Sequence, residues 1–523
     1  MIRIIFDKWG SIANDFCNGF RISQSELCLA CPALSLYNGR NSWAFGGPAQ
    51  KLMNNDIRSY DESTKRAALV VSTLAGFLTP FMGSSMNVAL PAVAAEFSMK
   101  AVSMSWVPMA YMLAAAVSLV PFGRLGDIRG RKRVLVLGLA VYTLTSLMSA
   151  LSFSAASLIV FRALQGIGGA MVMGTSLAIL TSVYPSGDRG RVLGINTAAV
   201  YLGLSLGPAL GGFLTQHFGW RSLFLVMVPI GLPALVLAFV KLPGEAAESR
   251  GEKFDTVGTV MFGAGLAALM FGFSRLPAVP GVVFILLGLA NLAVFVLWEK
   301  RSKAPLLDIR LFRTNRVFAF SNAAALINYS ATSAVAFLLS LYLQYIKGMS
   351  PQQAGLILIA QPIVMTVFSP LAGKLSDRIE PRVVASAGMG ITSAGLFLFM
   401  LLGRSSSLFF IVSSLLCLGF GFALFSSPNT NAVMGSVDRR SYGVASSTLG
   451  TMRLTGQMLS MGVSVLIFVL FMGNVRITPE YHPAFLRSLV AAFAVFGALC
   501  VIGVFASLAR GNRKSGTRYP FPN

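Results

Sequence analysis

Charge is scarce in this sequence. Of 523 residues only 12% are Asp, Glu, Lys or Arg, while 55% are hydrophobic and the mean hydropathy is +0.71. A water-soluble chain of this length needs far more polar side chains to cover its surface, so a soluble fold is excluded. Histidine occurs only twice, as His217 and His482, far apart in sequence, and no nucleophile–base pair is visible, so no enzyme activity is expected. The five cysteines make no disulfide framework. Cys417 and Cys500 fall in apolar runs as small packing residues, and Cys28-x-x-Cys31, near Cys17, lacks the second pair that a metal site would need. No glycine-x4-glycine-lysine-serine/threonine loop is present, and there is no polar domain to hold one, which argues against ATP-driven work. No cofactor and no metal are expected. Short alternating segments of the kind that build a transmembrane barrel are missing too.

What the sequence does have is long apolar runs. They fall at about 68–91, 102–122, 133–153, 156–181, 192–215, 222–241, 256–274, 279–298, 318–344, 352–373, 383–402, 407–431, 443–471 and 485–508. A bilayer core about 30 Å thick needs roughly 20 residues of helix to cross it, and helices satisfy their own backbone where no water can. The runs therefore predict an all-α polytopic membrane protein with about fourteen transmembrane helices.

The formal net charge is +23, which in a soluble chain would suggest nucleic acid. Here the bases sit in short loops. If the N-terminus is cytoplasmic, the cytoplasmic loops hold Arg124, Arg129, Arg131, Lys132 and Arg133, then Arg189 and Arg191, then Lys300, Arg301, Lys303, Arg310, Arg313 and Arg316. Further along they hold Lys374, Arg378 and Arg382, then Arg439 and Arg440, and the tail Arg510, Arg513, Lys514 and Arg518. The opposite loops hold scattered bases only. This alternation fits the positive-inside rule with both termini cytoplasmic, and it points to a lipid bilayer rather than nucleic acid as partner.

The domain division expected from the runs is a leader at 1–66, a six-helix bundle at 67–241, two inserted helices at 242–300, a second six-helix bundle at 301–509 and a cytoplasmic tail at 510–523. The leader has no spanning run. Its apolar stretch Leu27–Tyr37 is too short and follows acidic residues, unlike a signal peptide. Because Met53 is followed by a polar stretch and then the first run, the expectation is that residues 1–52 are either upstream of a true start near Met53 or a dispensable tail; N-terminal sequencing that finds Met1 or Ile2 would refute the first. Internal repetition supports the two bundles: Gly123 and Asp127 follow the second run with a basic cluster behind them, and Gly373 and Asp377 follow the tenth at the same spacing.

Four motifs now carry a resemblance. Gly123, Leu125, Asp127, Gly130, Arg131 and Lys132 resemble the loop signature glycine-x-leucine-x-aspartate-x-x-glycine-arginine-lysine of the major facilitator superfamily. Arg162 with Gln165, Gly166, Gly168 and Gly169 resembles its fourth-helix motif. Gly203, Gly207, Pro208, Gly211 and Gly212 resemble its fifth-helix antiporter motif, and Asn87 to Pro91 resembles the end of the first-helix motif of the fourteen-helix drug:proton antiporter branch. The ordered set spans roughly 68–508. It implies the major facilitator fold, two six-helix bundles plus two inserted helices, and secondary active transport of a small-molecule solute with protons as coupling ion, acting as a monomer in the cell membrane. It also implies that the fifth helix seals one side of the cavity and that helices 1, 4, 9 and 12 line it.

The residues support specific expectations. Asp127 is the single acid among five bases, and it can pair with Arg131. With Gly123, Gly130, Asp377 and Arg378 it forms either a cytoplasmic gate latch or a loop that only sets topology. The glycines of the fifth helix recur at i, i+4 and i+8 on one face, which permits close helix approach, and Pro208 can kink that helix. Arg162 and Arg453 are the charges placed well inside runs. Burying one costs at least about 2.5 kcal/mol, so each faces either backbone carbonyls or a solute and coupling site. Candidate cavity residues are Met82, Ser85, Asn87, Tyr111, Arg162, Gln165, Asn328, Tyr329, Gln361, Asn429, Arg453 and Gln457, each of which could instead be interhelical glue.

One departure stands out: Met82 occupies the position where the branch usually has an aspartate, and no run holds an Asp or Glu. The leading expectation is export of amphipathic small molecules or drugs by alternating access coupled to protons. The alternatives are a facilitator or importer of an anionic or zwitterionic solute, and a non-transporting membrane sensor. Substrate-dependent pH change in vesicles separates antiport from facilitation, and binding without flux marks a sensor.

Overall fold

The computed structural model describes residues 60–184, 186–243, 254–302, 305–306, 309–437 and 442–511. The leader with its three cysteines, the proposed start near Met53, loop residues Lys303, Arg439 and Arg440, and the tail beyond residue 511 lie outside them.

Among the described residues fourteen helices are long and apolar enough to cross a membrane. They are α1 (Glu62–Glu96), α2 (Ala101–Arg129), α3 (Arg131–Ala150), α4 (Ala155–Val183), α5 (Arg191–Phe218), α6 (Arg221–Lys241), α7 (Thr256–Arg275) and α8 (Val279–Glu299). After them come α9 (Arg316–Ile346), α10 (Pro351–Ser376), α11 (Pro381–Leu401), α12 (Leu408–Met434), α13 (Val444–Met472) and α14 (Pro479–Leu508). Every expected run is a helix. Several helices outlast their apolar run by a turn or more, because a helix continues into the polar boundary until a cap ends it. Ser154 and Ser350 begin α4 and α10 with capping boxes, and Pro351 stands at the first helical position, where its missing N–H costs nothing.

The run at 318–344 is not one uninterrupted α-helix. It breaks at Ser333–Ala334, restarts, and ends in a π turn over Tyr342–Ile346. The break is tolerated in the membrane because Ser460 of α13 accepts the Ala334 N–H at 2.9 Å.

α1–α6 pack together as one bundle and α9–α14 as another, with α7 and α8 paired. Two antiparallel seams join the bundles, α5 against α10 and α2 against α13. The inserted α7 lies along the second seam, where Gly263 faces Val117 of α2 and Gly462 of α13 faces Met270 and Phe273. α8 sits outermost, with only Gly281, Gly288, Phe295 and Glu299 buried.

The end of the molecule where α1 begins carries the basic loops and is called here the basic face. At the opposite face Glu96 accepts hydrogen bonds at 2.7 Å from both Trp220 and Arg221, and Arg221 also donates to the Ser152 carbonyl at 3.0 Å, tying the ends of α1, α3 and α6.

Candidate functional site

The site begins with two pairs of polar residues at i, i+4 spacing. On α5, Tyr201 and Ser205 share one face; on α12, Phe422, Ser426 and Thr430 do the same. These faces, with Met365, Thr366 and Ser369 of α10, Tyr329 of α9 and Arg453 of α13, meet between the two bundles. Tyr329, Met365 and Phe422 form a small cluster separate from the main core, with Tyr201 packed against it from the other bundle. The Tyr329 and Phe422 rings meet edge to face, with centroids 5.4 Å apart at 88°. Ser369, Ser426, Tyr329 and Arg453 lie around the Tyr201 hydroxyl, and the buried Ser369 Oγ has no hydrogen-bond partner. Ser205 and Thr366 hydrogen-bond across the bundles at 3.2 Å.

Arg453 is the charge in this cluster. It is half-buried. Its Nη2 donates to Thr430 Oγ1 at 2.6 Å, and its Cζ lies 5.7 Å from the Tyr329 ring centroid. Its Nε is buried and has no hydrogen-bond partner. Gln457, one turn further along α13, is also half-buried.

Arg162 sits elsewhere. It is 1% exposed inside the first bundle, over the rings of Tyr111 at 4.5 Å and Phe224 at 6.0 Å. Its Nε donates to the Val107 carbonyl at 3.4 Å and its Nη1 to Gln165, whose Nε2 donates to Ser146 at 2.7 Å. Thus Arg162, Gln165 and Tyr111 make one group among α2, α3, α4 and α6, while Tyr329 and Arg453 make another between the bundles.

The remaining expected residues are dispersed. Met82 is 1% exposed in the core. Ser85 Oγ donates to the Gly207 carbonyl at 2.9 Å, joining α1 to α5. Asn87 is buried; Asn328 is fully buried with neither amide atom bonded; Asn429 is buried with its Oδ1 unbonded. The Gln361 carbonyl faces Gly419 of α12. Tyr201, Ser205, Met365, Thr366, Ser369, Phe422, Ser426 and Thr430 were not singled out from the sequence. The polar i, i+4 pairs Tyr201–Ser205 and Ser426–Thr430 inside apolar runs were the available signal.

The glycines of α5 divide between two partners. A Cβ on Gly203 would stand 2.6 Å from the Phe77 carbonyl, and one on Gly211 would stand 2.7 Å from Ser85 Cβ, both on α1. Gly207 faces Ser84 of the same helix. Gly212, however, faces the Pro351 carbonyl of α10, and Gly355 of α10 faces the Pro208 carbonyl. Beyond them Gln352 meets α5 twice: its N–H donates to Gln216 at 3.3 Å and its side chain bonds His217 at 3.2 Å. Gln344 Nε2 donates to the Val88 carbonyl at 2.9 Å, and the Ala101 N–H to the Val475 carbonyl at 3.0 Å. The bundles are therefore closed against each other at the face opposite the basic loops.

At the basic face Arg131 binds Asp127 Oδ1 through both Nε and Nη2, each at 2.9 Å. Gly130, between α2 and α3, has φ 106°, a conformation that favours glycine. The α-carbon of Gly123 touches α4 near Gly174. In the corresponding loop of the second bundle Arg382 pairs with Glu380 at 3.0 Å and Arg378 is exposed; the Asp377 side chain lies outside the described residues.

The model of the Major Facilitator Superfamily matches residues 72–459 and 322–521. The chain belongs to that superfamily and, with fourteen helices and relatives named as multidrug and antibiotic exporters, to its drug-efflux type of transporter. It is similar to the cephamycin export protein CmcT of Amycolatopsis lactamdurans, 35% identical over 456 residues that cover 84% of this chain and 92% of that protein. It is also similar to the riboflavin transporter RibZ of Clostridioides difficile (strain 630), 31% identical over 392 residues, covering 74% and 85%. Among solved structures, a bacterial homologue of the human lysosomal transporter Spinster, inward-facing and unoccupied, aligns with TM-score 0.61 at 16% identity, covering 87% of this chain and all of that one. That likeness bears on the fold alone.

Proposed function

We propose that this transporter exports amphipathic small molecules by alternating access, driven by the proton gradient across the cell membrane. The observation that carries the reading is the Tyr201–Tyr329–Arg453 cluster. It is polar and aromatic, it lies between bundles that must separate and rejoin, and it draws walls from both. A solute held there touches both bundles at once, so its binding energy couples to their rocking.

The positive-inside rule makes the basic face cytoplasmic, with both termini there. On that assignment the closed face is the external one, and α5 is the seal expected of the antiporter motif. The Asp127–Arg131 pair serves as part of the cytoplasmic latch. The relatives named as exporters support the outward direction. On this reading the chain works as a monomer.

The test is efflux from cells overproducing the protein, loaded with a panel of fluorescent amphipathic dyes, with and without a proton uncoupler. Lower steady-state dye that the uncoupler restores, and that Arg453→Gln abolishes at equal membrane abundance, is the expected result. Dye levels unchanged across the whole panel would remove the export reading, and efflux that ignores the uncoupler would remove the proton.

A further inference from the structure

Resting on the reading of the interbundle cluster as the solute site, we infer that this site selects planar aromatic solutes bearing an anionic oxygen, a carboxylate or an acidic phenol, with Arg453 as the selecting residue.

A guanidinium is charged at every accessible pH and offers five donors in a flat fork that fits a carboxylate. Arg453 commits Nη2 to Thr430 and leaves its buried Nε without a partner. Ion pairs among the described residues engage Glu62, Glu96, Asp127 and Glu380, all toward the ends of helices, and none reaches Arg453. Met82, buried in α1, supplies no charge either. A cation held between apolar helices is costly unless a partner meets it, and among the described residues no carboxylate pairs with Arg453. The solute is then the remaining partner.

The contrast with Arg162 sharpens the point. That guanidinium bonds a carbonyl and Gln165 and lies over two rings, so its demand is met within the first bundle. Around Arg453 the surfaces also match a flat ring: Tyr329 and Phe422 meet edge to face, Met365 is flexible filler, and Tyr201 closes the opposite wall. Ser369, whose buried Oγ has no partner, adds a donor for a second oxygen. A solute cation in the same place would meet the guanidinium's repulsion.

The experiment uses the full-length purified protein and two dyes that share a xanthene ring: fluorescein, which carries a carboxylate and an acidic phenol, and the cationic rhodamine 123. Binding is read by fluorescence anisotropy. Fluorescein is expected to bind more tightly than rhodamine 123. Arg453→Gln should weaken fluorescein roughly ten- to a hundredfold, the range for hydrogen bonds to a charged group, and should not weaken rhodamine 123. Arg453→Lys, which keeps the charge and loses the fork, should recover part of the loss. Tyr201→Phe, a milder change that keeps the ring, should weaken fluorescein by a smaller factor and covers the case in which the arginine variants misfold. Equal affinity for the two dyes, binding of neither, or fluorescein binding indifferent to Arg453 and Tyr201 overturns the assignment. Binding through Arg453 without outward flux would overturn the export reading and leave this assignment standing; efflux of both dyes without preference would do the reverse.

Discussion

Arg162 and Arg453 look alike in sequence. Each lies inside an apolar run and has a glutamine one turn later. Their surroundings differ in what is left over. Arg162 is 1% exposed and its partners are all protein groups; Arg453 is half-buried with one donor idle. The two should therefore fail differently when mutated. Arg162→Gln is expected to destabilise the fold by roughly 2 kcal/mol, since hydrogen bonds to a charged group are lost and Gln165 is stranded; a lowered thermal midpoint of the purified protein checks it. Arg453→Gln is expected to leave that midpoint near the parent value while transport disappears. If both variants lose stability equally, the division between a packing arginine and a site arginine is wrong.

At the scale of elements, α5 explains why its glycines recur. One set lets α1 approach inside the first bundle, and the other lets α10 approach across the interface. Added methyl groups should separate the two uses. Gly203→Ala places a Cβ against the Phe77 carbonyl, so a loss of about 1–3 kcal/mol of stability is expected, the usual cost of overpacking, measured as a lower midpoint and lower yield. Gly355→Ala instead presses on the Pro208 carbonyl at the closed face. That contact is tighter than the one at Gly203, so the two bundles must part there: labelling of a cysteine introduced at that face should rise and the transport rate should change, alongside a lowered midpoint. The loop between α2 and α3 offers a second test. Asp127 holds Arg131 through two donors, so Asp127→Asn weakens a charge-assisted pair at nearly constant shape. Efflux in whole cells should fall severalfold at equal membrane abundance; undiminished efflux would reduce the pair to a topology signal.

For the whole molecule, the proposed cycle requires the closed face to open. His217 and Gln352 bond across it at 3.2 Å. Replacing both with cysteine, His217→Cys with Gln352→Cys, should give a cross-link on oxidation that arrests export, and a reducing agent should restore it. Each single variant controls for loss of the histidine or glutamine itself. A cross-linked protein that still exports would mean that the bundles need not part there. Labelling of the His217→Cys variant in intact cells by a membrane-impermeant thiol reagent also reads the orientation, since the proposed topology puts that residue outside.

The sequence by itself determined the fourteen helices and the alternation of basic loops. Hydropathy is a local property, and a lipid solvent demands about 20 apolar residues of helix whatever their neighbours do. It also displayed the glycine register of α5 and the Asp127–Arg131 pair, because both depend on spacing within a few turns. It did not show the break in α9 at Ser333–Ala334, whose freed N–H is satisfied by Ser460, 126 positions away. Nor did it show which arginine faces the space between the bundles. That was decided by tertiary structure alone: α5, α9, α10, α12 and α13 bring Tyr201, Tyr329, Ser369, Ser426 and Arg453 together across hundreds of residues. A single apolar run presents the same composition whether a polar side chain points at a neighbouring helix, at lipid or at a solute, and only the packing of the two bundles distinguishes them.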